Sequence, residues 1–147
     1  NDKFLKLYPQ IILKNVDLIF KNKNKNMPQD SKKATYGCRR SPEDGKINFS
    51  CSSDEIISLI RGVTYPYPGA FCYFKDKKII VWDAEKRNNP PAYEGNVPGK
   101  IVEIRQNYVS VLTKDGMIKI KSISNAENDR LILEPKDIFN SISVTLQ

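Results

Sequence analysis

Apolar side chains recur over residues 4–20 at Ile11, Ile12, Val16, Ile19 and Phe20, a spacing that predicts one face of a helix. Pro9 is read as lying in its first turn, where a missing N–H costs nothing because that donor has no intrahelical partner. Asn22, Asn24 and Asn26 alternate with Lys21, Lys23 and Lys25 and end the pattern. Cations are favoured at a helix C-terminus, so the run reads as a solvated capping turn or as an anion site. Residues 27–50 lack periodicity and read as an extended connector, with Pro42–Gly45 as a turn and Ile47 and Phe49 alternating as in a short strand. A second helix follows, capped by Ser52, Ser53 or Asp54, with Ile56, Ile57, Leu59 and Ile60 on its buried face. Gly62 falls where a helix-terminating glycine is expected.

The period then changes from helical to alternating. Tyr65-Pro66-Tyr67-Pro68-Gly69 cannot be helical, because each proline drives the preceding residue into extended backbone. Residues 70–74 and 78–86 predict a hairpin turning at Lys75-Asp76-Lys77. After a proline-rich loop over 88–98, residues 99–106 and 108–116 form a second pair joined near Asn107. Residues 117–124 return from the turn signal Asp115-Gly116. Five short strands predict a small antiparallel barrel or curled sheet, with Ile79, Val81, Ile101, Ile104, Val109, Val111, Ile118 and Ile120 as its core. Ile101 and Ile104 differ in parity, so a bulge or an end effect is allowed for there. A short helix or turn at 134–140 and a loose tail complete an α+β, mainly β, chain.

Composition narrows the chemistry. The chain has 147 residues and no histidine, which removes Ser-His-Asp and Cys-His pairs and any His-containing zinc site. Cys38, Cys51 and Cys72 are too few and too widely spaced for a disulfide framework or a four-ligand metal site, and read as reduced thiols in the cytoplasm. No apolar run approaches a membrane span, and no signal peptide is present. The opening at Asn1 rather than Met reads as a piece of a larger protein or a trimmed form. The net charge is +7. Its lysines accompany many asparagines and isoleucines, as AT-rich coding also produces, but their placement is uneven. Residues 1–50 carry 11 basic and 5 acidic groups, a net of +6, whereas 51–147 carry 13 and 12, a net of +1.

Two constellations stand out. In Arg39-Arg40-Ser41-Pro42-Glu43-Asp44-Gly45, adjacent guanidiniums can clamp a phosphate or carboxylate, or pair with Glu43 and Asp44 on the same turn. In the segment from Arg61 to Phe71, the aromatic residues serve either as buried struts or as a ligand platform. Asp76, Asp83 and Glu85 flank the first hairpin with nothing to mark them as catalytic. No phosphate-binding glycine loop or dinucleotide fingerprint is present. Tyr73, Phe74 and Trp82 would be stacking rings in a stand-alone nucleic-acid-binding barrel, or hairpin packing otherwise.

At these same residues, ATYGCRRSPEDGKINF followed by a helix and IRGVTYPYPGAFCYF, the chain resembles the C-terminal portion of formyltransferases that use 10-formyltetrahydrofolate. KIIVWDAEK, PGKIVEI and VLTKDGMIKIKSI are similar to the barrel strands of that family. The resemblance implies that 1–22 is the last helix of a Rossmann-like catalytic domain, 23–69 a linker containing one helix, and 70–147 an OB-like β domain. It implies an Asn-His-Asp catalytic set in the upstream domain, which would be this chain's partner and would handle the 10-formyltetrahydrofolate. The chain itself is then expected to carry no catalytic residue, metal or cofactor and to be inactive alone. The family's acceptors include methionyl-tRNA and UDP-4-amino-4-deoxy-L-arabinose. The Arg-Arg-Ser-Pro-Glu-Asp-Gly form is closer to the sugar-nucleotide branch and the barrel is nearly neutral, so a nucleotide-linked amino sugar is the expected acceptor and initiator tRNA the alternative. Arg39 and Arg40 would face its diphosphate. Tyr67, standing where the family usually has Trp, would join them in the acceptor site.

Overall fold

The computed structural model describes residues 2–23, 25, 27–126 and 128–147, with the side chains of residues 2 and 128–130 excepted. Asn24 and Asn26 of the expected capping run lie outside the described residues. The chain forms two compact units, Asn1–Cys38 and Arg39–Gln147.

In the first unit, helix α1 spans Asp2–Phe20, followed by a 3-10 turn at Ser31–Lys33. Because α1 starts at Asp2, Pro9 lies beyond the first turn, and the carbonyl of Leu5 lacks its intrahelical donor. The helix ends on a paired motif: Asn22 donates to the Ile19 carbonyl at 3.1 Å and Lys23 to the Leu18 carbonyl at 2.8 Å. Asn22 takes a positive φ of 51°, the left-handed conformation this cap requires and asparagine tolerates. Phe4, Leu7, Tyr8, Ile11, Ile12 and Ile19 on α1 are all exposed. Among the described residues, no helix is long and apolar enough to cross a membrane.

In the second unit, a 3-10 turn at Pro42–Gly45 precedes α2 (Ser53–Val63). The strands are β1 (Ala70–Phe74), β2 (Lys77–Lys86), β3 (Ile101–Ile104), β4 (Val109–Leu112), β5 (Met117–Asn125) and β6 (Asn128–Leu133), and α3 (Pro135–Ile138) follows. All pairings are antiparallel, in the order β1-β2-β5-β4-β3, with β6 also on β5. Val109 lies opposite Ile120 and Val111 opposite Ile118, as alternation requires, so their side chains share the buried face. Of the two explanations left open for the parity mismatch in β3, a bulge is present, between Ile101 and Glu103. Two more at Asp83 bend the long β2, which pairs with β1 on one edge and β5 on the other. Lys75 and Asp76, both at positive φ, make the two-residue turn between β1 and β2, so Lys77 belongs to the strand rather than to the turn.

Several expectations are corrected. A sixth strand, β6, is present. Ile104 is half-buried rather than central. Gly62 lies within the last turn of α2, which runs on to Val63 with Thr64 as its cap. Ile47 and Phe49 are buried, but the connector makes one parallel bridge, Lys46 to Phe71, and no strand. The largest difference is the tail. Residues 144–147 are hydrogen-bonded on both sides. Tyr73 and Gln147 exchange backbone bonds at 2.6 and 3.2 Å, Leu146 donates to Gly99 at 2.8 Å, and Thr145 bridges Lys100. The tail therefore joins the edges of β1 and β3 and closes the sheet into a barrel. Leu146 is buried, and Gly99 sits at φ 86° with no room for a Cβ against the Leu146 carbonyl.

Helix α2 is held from within and from the barrel. Ser52 and Glu55 form a reciprocal capping box. From the β4–β5 turn, Asp115 accepts from the Ser53 N–H at 2.8 Å, the Ser53 hydroxyl at 3.1 Å and the Thr113 hydroxyl at 3.2 Å. The backbone donor of Ser53 is the foremost cause that holds the Asp115 carboxyl below its ordinary value.

Leu146→Ala is expected to cost about 2–5 kcal/mol, the range for emptying a buried leucine site. It should also speed exchange of the Tyr73 and Ile101 amides, which donate to the Gln147 and Val144 carbonyls of the tail. Denaturant titration and hydrogen exchange check this, and unchanged Tyr73 protection would remove the closing role. Asp115→Asn should cost about 1 kcal/mol at neutral pH, as for loss of a helix cap. Because the folded carboxyl is depressed, its contribution is complete above the ordinary value of 3.8 and fades as pH falls through the lower folded value. Wild type and variant should thus converge in stability at strongly acidic pH, as read by unfolding midpoints across a pH series.

Candidate functional site

The site is built from two turns pressed together. Pro42–Gly45 is stabilised by Asp44, which accepts from the Ser41 N–H at 2.6 Å and the Ser41 hydroxyl at 3.2 Å. Glu43 reaches the other way and pairs with Lys78 at 3.5 Å, while the Lys78 ammonium lies 3.7 Å from the centre of the buried Phe71 ring. Both acids of this turn are thus engaged elsewhere. Among the described residues neither Arg39 nor Arg40 takes part in an ion pair, which corrects the reading that they neutralise Glu43 and Asp44.

The second turn follows α2. Tyr67 N–H donates to the Thr64 carbonyl at 3.1 Å and Gly69 N–H to the Val63 carbonyl at 2.9 Å. Gly69 has φ 87°, and a Cβ there would run into the Ile80 side chain and come within 3.0–3.1 Å of the Trp82 ring. The indole donates to the Ser124 hydroxyl at 2.8 Å, which fixes its plane. A Cβ on Gly45 would sit 2.9 Å from the Gly69 carbonyl oxygen, so the two turns meet backbone to backbone.

A cavity of about 340 Å³ opens between them, lined by Arg40, Pro42, Val63, Tyr67, Pro68 and Gly69. A shallower groove along α2, lined by Asp54, Glu55, Ser58 and Leu59, lies on the other side of Arg40. Of the sequence-predicted residues, the structure brings Arg40 and Tyr67 to one cavity and places Arg39 outside its lining. Tyr67 is 62% exposed and Tyr65, which sequence reasoning did not single out, is 84% exposed. The glycines of both motifs were the available signal for the turn-to-turn contact.

Elsewhere the ionisable groups are structural. Burial pushes the Cys72 thiol up to about 12, leaving it unreactive. Burial alone would raise Glu103, but donors from Arg105, Ser110 and Arg87 outweigh it and hold the carboxyl below its ordinary value. Glu85 is likewise held low by Lys121. Phe74 is in the core, edge-on to Phe139 at 5.2 Å, and Trp82 is half-buried beneath Gly69. These rings therefore pack the hairpin rather than offer a stacking surface. The described residues contain no cluster of three or more metal-ligating side chains. What the cavity offers is a guanidinium, an apolar wall and a phenol, suited to an anion attached to a flat ring.

A family model described as the formyl transferase C-terminal domain matches residues 39–142. Among curated proteins, methionyl-tRNA formyltransferase of Malacoplasma penetrans (strain HF-2) is 32% identical over 150 residues, covering 99% of this chain and 45% of that protein. Methionyl-tRNA formyltransferase of Alkaliphilus oremlandii (strain OhILAs) is 29% identical over 142 residues, covering 97% and 44%. The chain thus spans less than half the length of these relatives. Among solved structures, a HypX variant from Aquifex aeolicus gives a TM-score of 0.66 at 14% identity over 89% of this chain and 22% of that one. HypX in complex with tetrahydrofolic acid gives 0.64 at 15% identity over 88% and 22%. At such identities these two support the fold alone.

Gly69→Ala is expected to destabilise the chain by about 1–3 kcal/mol, because the added Cβ meets both positive φ and the indole. Trp82 fluorescence should shift in the folded state as the ring is displaced. An unaltered emission spectrum together with an unaltered unfolding midpoint would contradict the contact.

Proposed function

The chain belongs to the formyl transferase C-terminal domain family, and from that premise we propose that it is the acceptor-side part of an enzyme that formylates the amino group of methionyl-tRNA. The observation that carries this reading is the 32% identity to a methionyl-tRNA formyltransferase along nearly the whole chain. 10-Formyltetrahydrofolate is the formyl donor in this reading and binds the upstream catalytic domain, which supplies the reacting groups that a chain without histidine lacks. Residues 1–22 are the last helix of that domain, 23–69 the linker and 70–147 the barrel domain. The exposed apolar residues of α1, among them Phe4, Leu7, Ile11 and Ile12, support this, since a helix with so wide an apolar surface is normally covered.

In this assignment Arg39 and Arg40 bind acceptor phosphates and Tyr67 packs beside them. Guanidiniums without carboxylate partners suit that role, because phosphate contacts dominate RNA affinity and specify position rather than sequence. The Arg-Arg-Ser-Pro-Glu-Asp-Gly form gives the nucleotide-linked amino sugar its place as the second acceptor, with the diphosphate in the same position.

In the full-length enzyme, Arg39→Ala/Arg40→Ala should weaken tRNA binding by at least about a hundredfold, since two charge-assisted bonds of about 1.5–3 kcal/mol each are removed. The slope of log affinity against log salt should fall by about two. The folate KM should stay where it is. Retained tRNA affinity with loss of UDP-amino-sugar binding would assign the sugar as acceptor, and no change in either would end the phosphate-clamp role.

A further inference from the structure

The loop 65–68 carries two tyrosines, 84% and 62% exposed, in a segment where every backbone constraint favours rigidity. Pro66 and Pro68 each fix one φ angle. Tyr67 and Gly69 are hydrogen-bonded to the end of α2, Gly69 lies on the indole of Trp82, and that indole is locked to Ser124. Exposed phenols on a stiff support are an expensive surface to leave in water unless something covers them, and aromatic patches of this kind mark binding sites. Stiffness matters because a ring that is already immobile loses little freedom when a ligand stacks on it. Arg40 and Tyr67 line the adjoining cavity, whose volume of about 340 Å³ lies at the lower end of the range for small-ligand pockets.

We propose that Tyr65 and Tyr67 form a stacking platform for unpaired nucleotides of the RNA acceptor, with the Arg40 guanidinium on the adjoining phosphate. This rests on the RNA reading above and adds to it the form of RNA that is held. Bases inside a duplex present only their edges, whereas unpaired bases expose faces that stack on aromatic side chains. Stacking is tolerant of base identity because every base has such a face, so the platform selects strandedness rather than sequence. Tyr65 contributes a ring and Arg40 a charge, and the two contributions separate experimentally: removing the ring weakens binding at every salt concentration alike, whereas removing the charge flattens the salt dependence.

The test uses the full-length enzyme and two probes, a short single-stranded oligoribonucleotide and the same sequence closed into a duplex. Tyr65→Ala and Tyr67→Ala should each weaken single-strand binding about tenfold, leave duplex binding within about twofold and keep the salt slope. Tyr65→Phe, which keeps the ring, should bind as wild type. Thermal unfolding midpoints of the Tyr65 variants should match wild type, since the side chain is almost wholly exposed. If the enzyme binds both probes and Tyr65→Ala alters neither, or weakens both equally, the platform is overturned while the RNA reading stands. If neither probe binds, the RNA reading falls and the platform falls with it.

Discussion

Closure of the sheet by residues 144–147 is the constraint on which the remaining geometry depends. Without it, β1 and β3 would each present an open edge of unpaired N–H and C=O groups. With it, β1 has β2 on one side and, on the other, Gln147 at Tyr73 and the connector at Phe71, where Ile47 donates at 2.8 Å. A strand held along both edges cannot slide, and Gly69 directly precedes its first residue. The position of the loop 64–69, and hence of both tyrosines, is therefore set by a contact with the far end of the chain. Gly99 shows how tight that contact is, since only a residue without a side chain fits where the Leu146 carbonyl approaches.

The acidic residues of the Pro42–Gly45 turn illustrate a division of labour. Asp44 binds backbone within its own turn, and Glu43 crosses to Lys78 on β2. An exposed pair of this kind contributes little energy by itself. Here it also places an ammonium over the Phe71 ring, so the turn, β1 and β2 share one anchor. Asp115 does the same for α2 from the opposite side, by reaching from the β4–β5 turn to the first helical N–H. Both devices use carboxylates to hold backbone in place, and both leave the neighbouring arginines uncommitted.

Local pattern was sufficient for the helices and for five strands, because each carries its own period and its own turn chemistry. Alternation placed Val109, Val111, Ile118 and Ile120 in the core, where they are found, and the parity mismatch in β3 allowed for the bulge that is present. The tail was illegible because Val144 and Leu146 offer a single alternation, and its partners, Tyr73 and Gly99, lie far off in sequence. Strand β6 runs through Asn128–Leu133 with a polar first half, so periodicity did not mark it. At the site, Arg40 and Tyr67 were legible from motif chemistry. Their shared cavity depends on the Gly45–Gly69 approach, a tertiary contact. Tyr65 was read only with the other aromatics of 61–71, as strut or platform, because its exposure is set by tertiary packing, and the loss of Glu43 to Lys78 is equally invisible along the chain.

Net charge by itself argues against an RNA partner for residues 51–147, at 13 basic and 12 acidic groups. Placement shows which of these charges are paired. On the barrel, several cations stand against carboxylates, though not one to one: Lys119 and Lys121 share Glu85, Arg87 and Arg105 share Glu103, and Lys86 meets Asp54. Within 39–69 the opposite holds. The four carboxylates there are all engaged, Glu43 with Lys78, Asp44 with Ser41, Asp54 with Lys86 and Glu55 with Ser52. Arg39, Arg40 and Arg61 are in no ion pair among the described residues. Glu43 and Asp54 are offset by Lys78 and Lys86, whereas Asp44 and Glu55, bonded to serines, keep their charge, so what the fold leaves open here is the donor capacity of the guanidiniums rather than a net positive field. Nothing along the chain says which acid meets which cation; the fold assigns these four to caps and cross-strand anchors, so the guanidinium donors of Arg39, Arg40 and Arg61 are not taken up by carboxylates among the described residues.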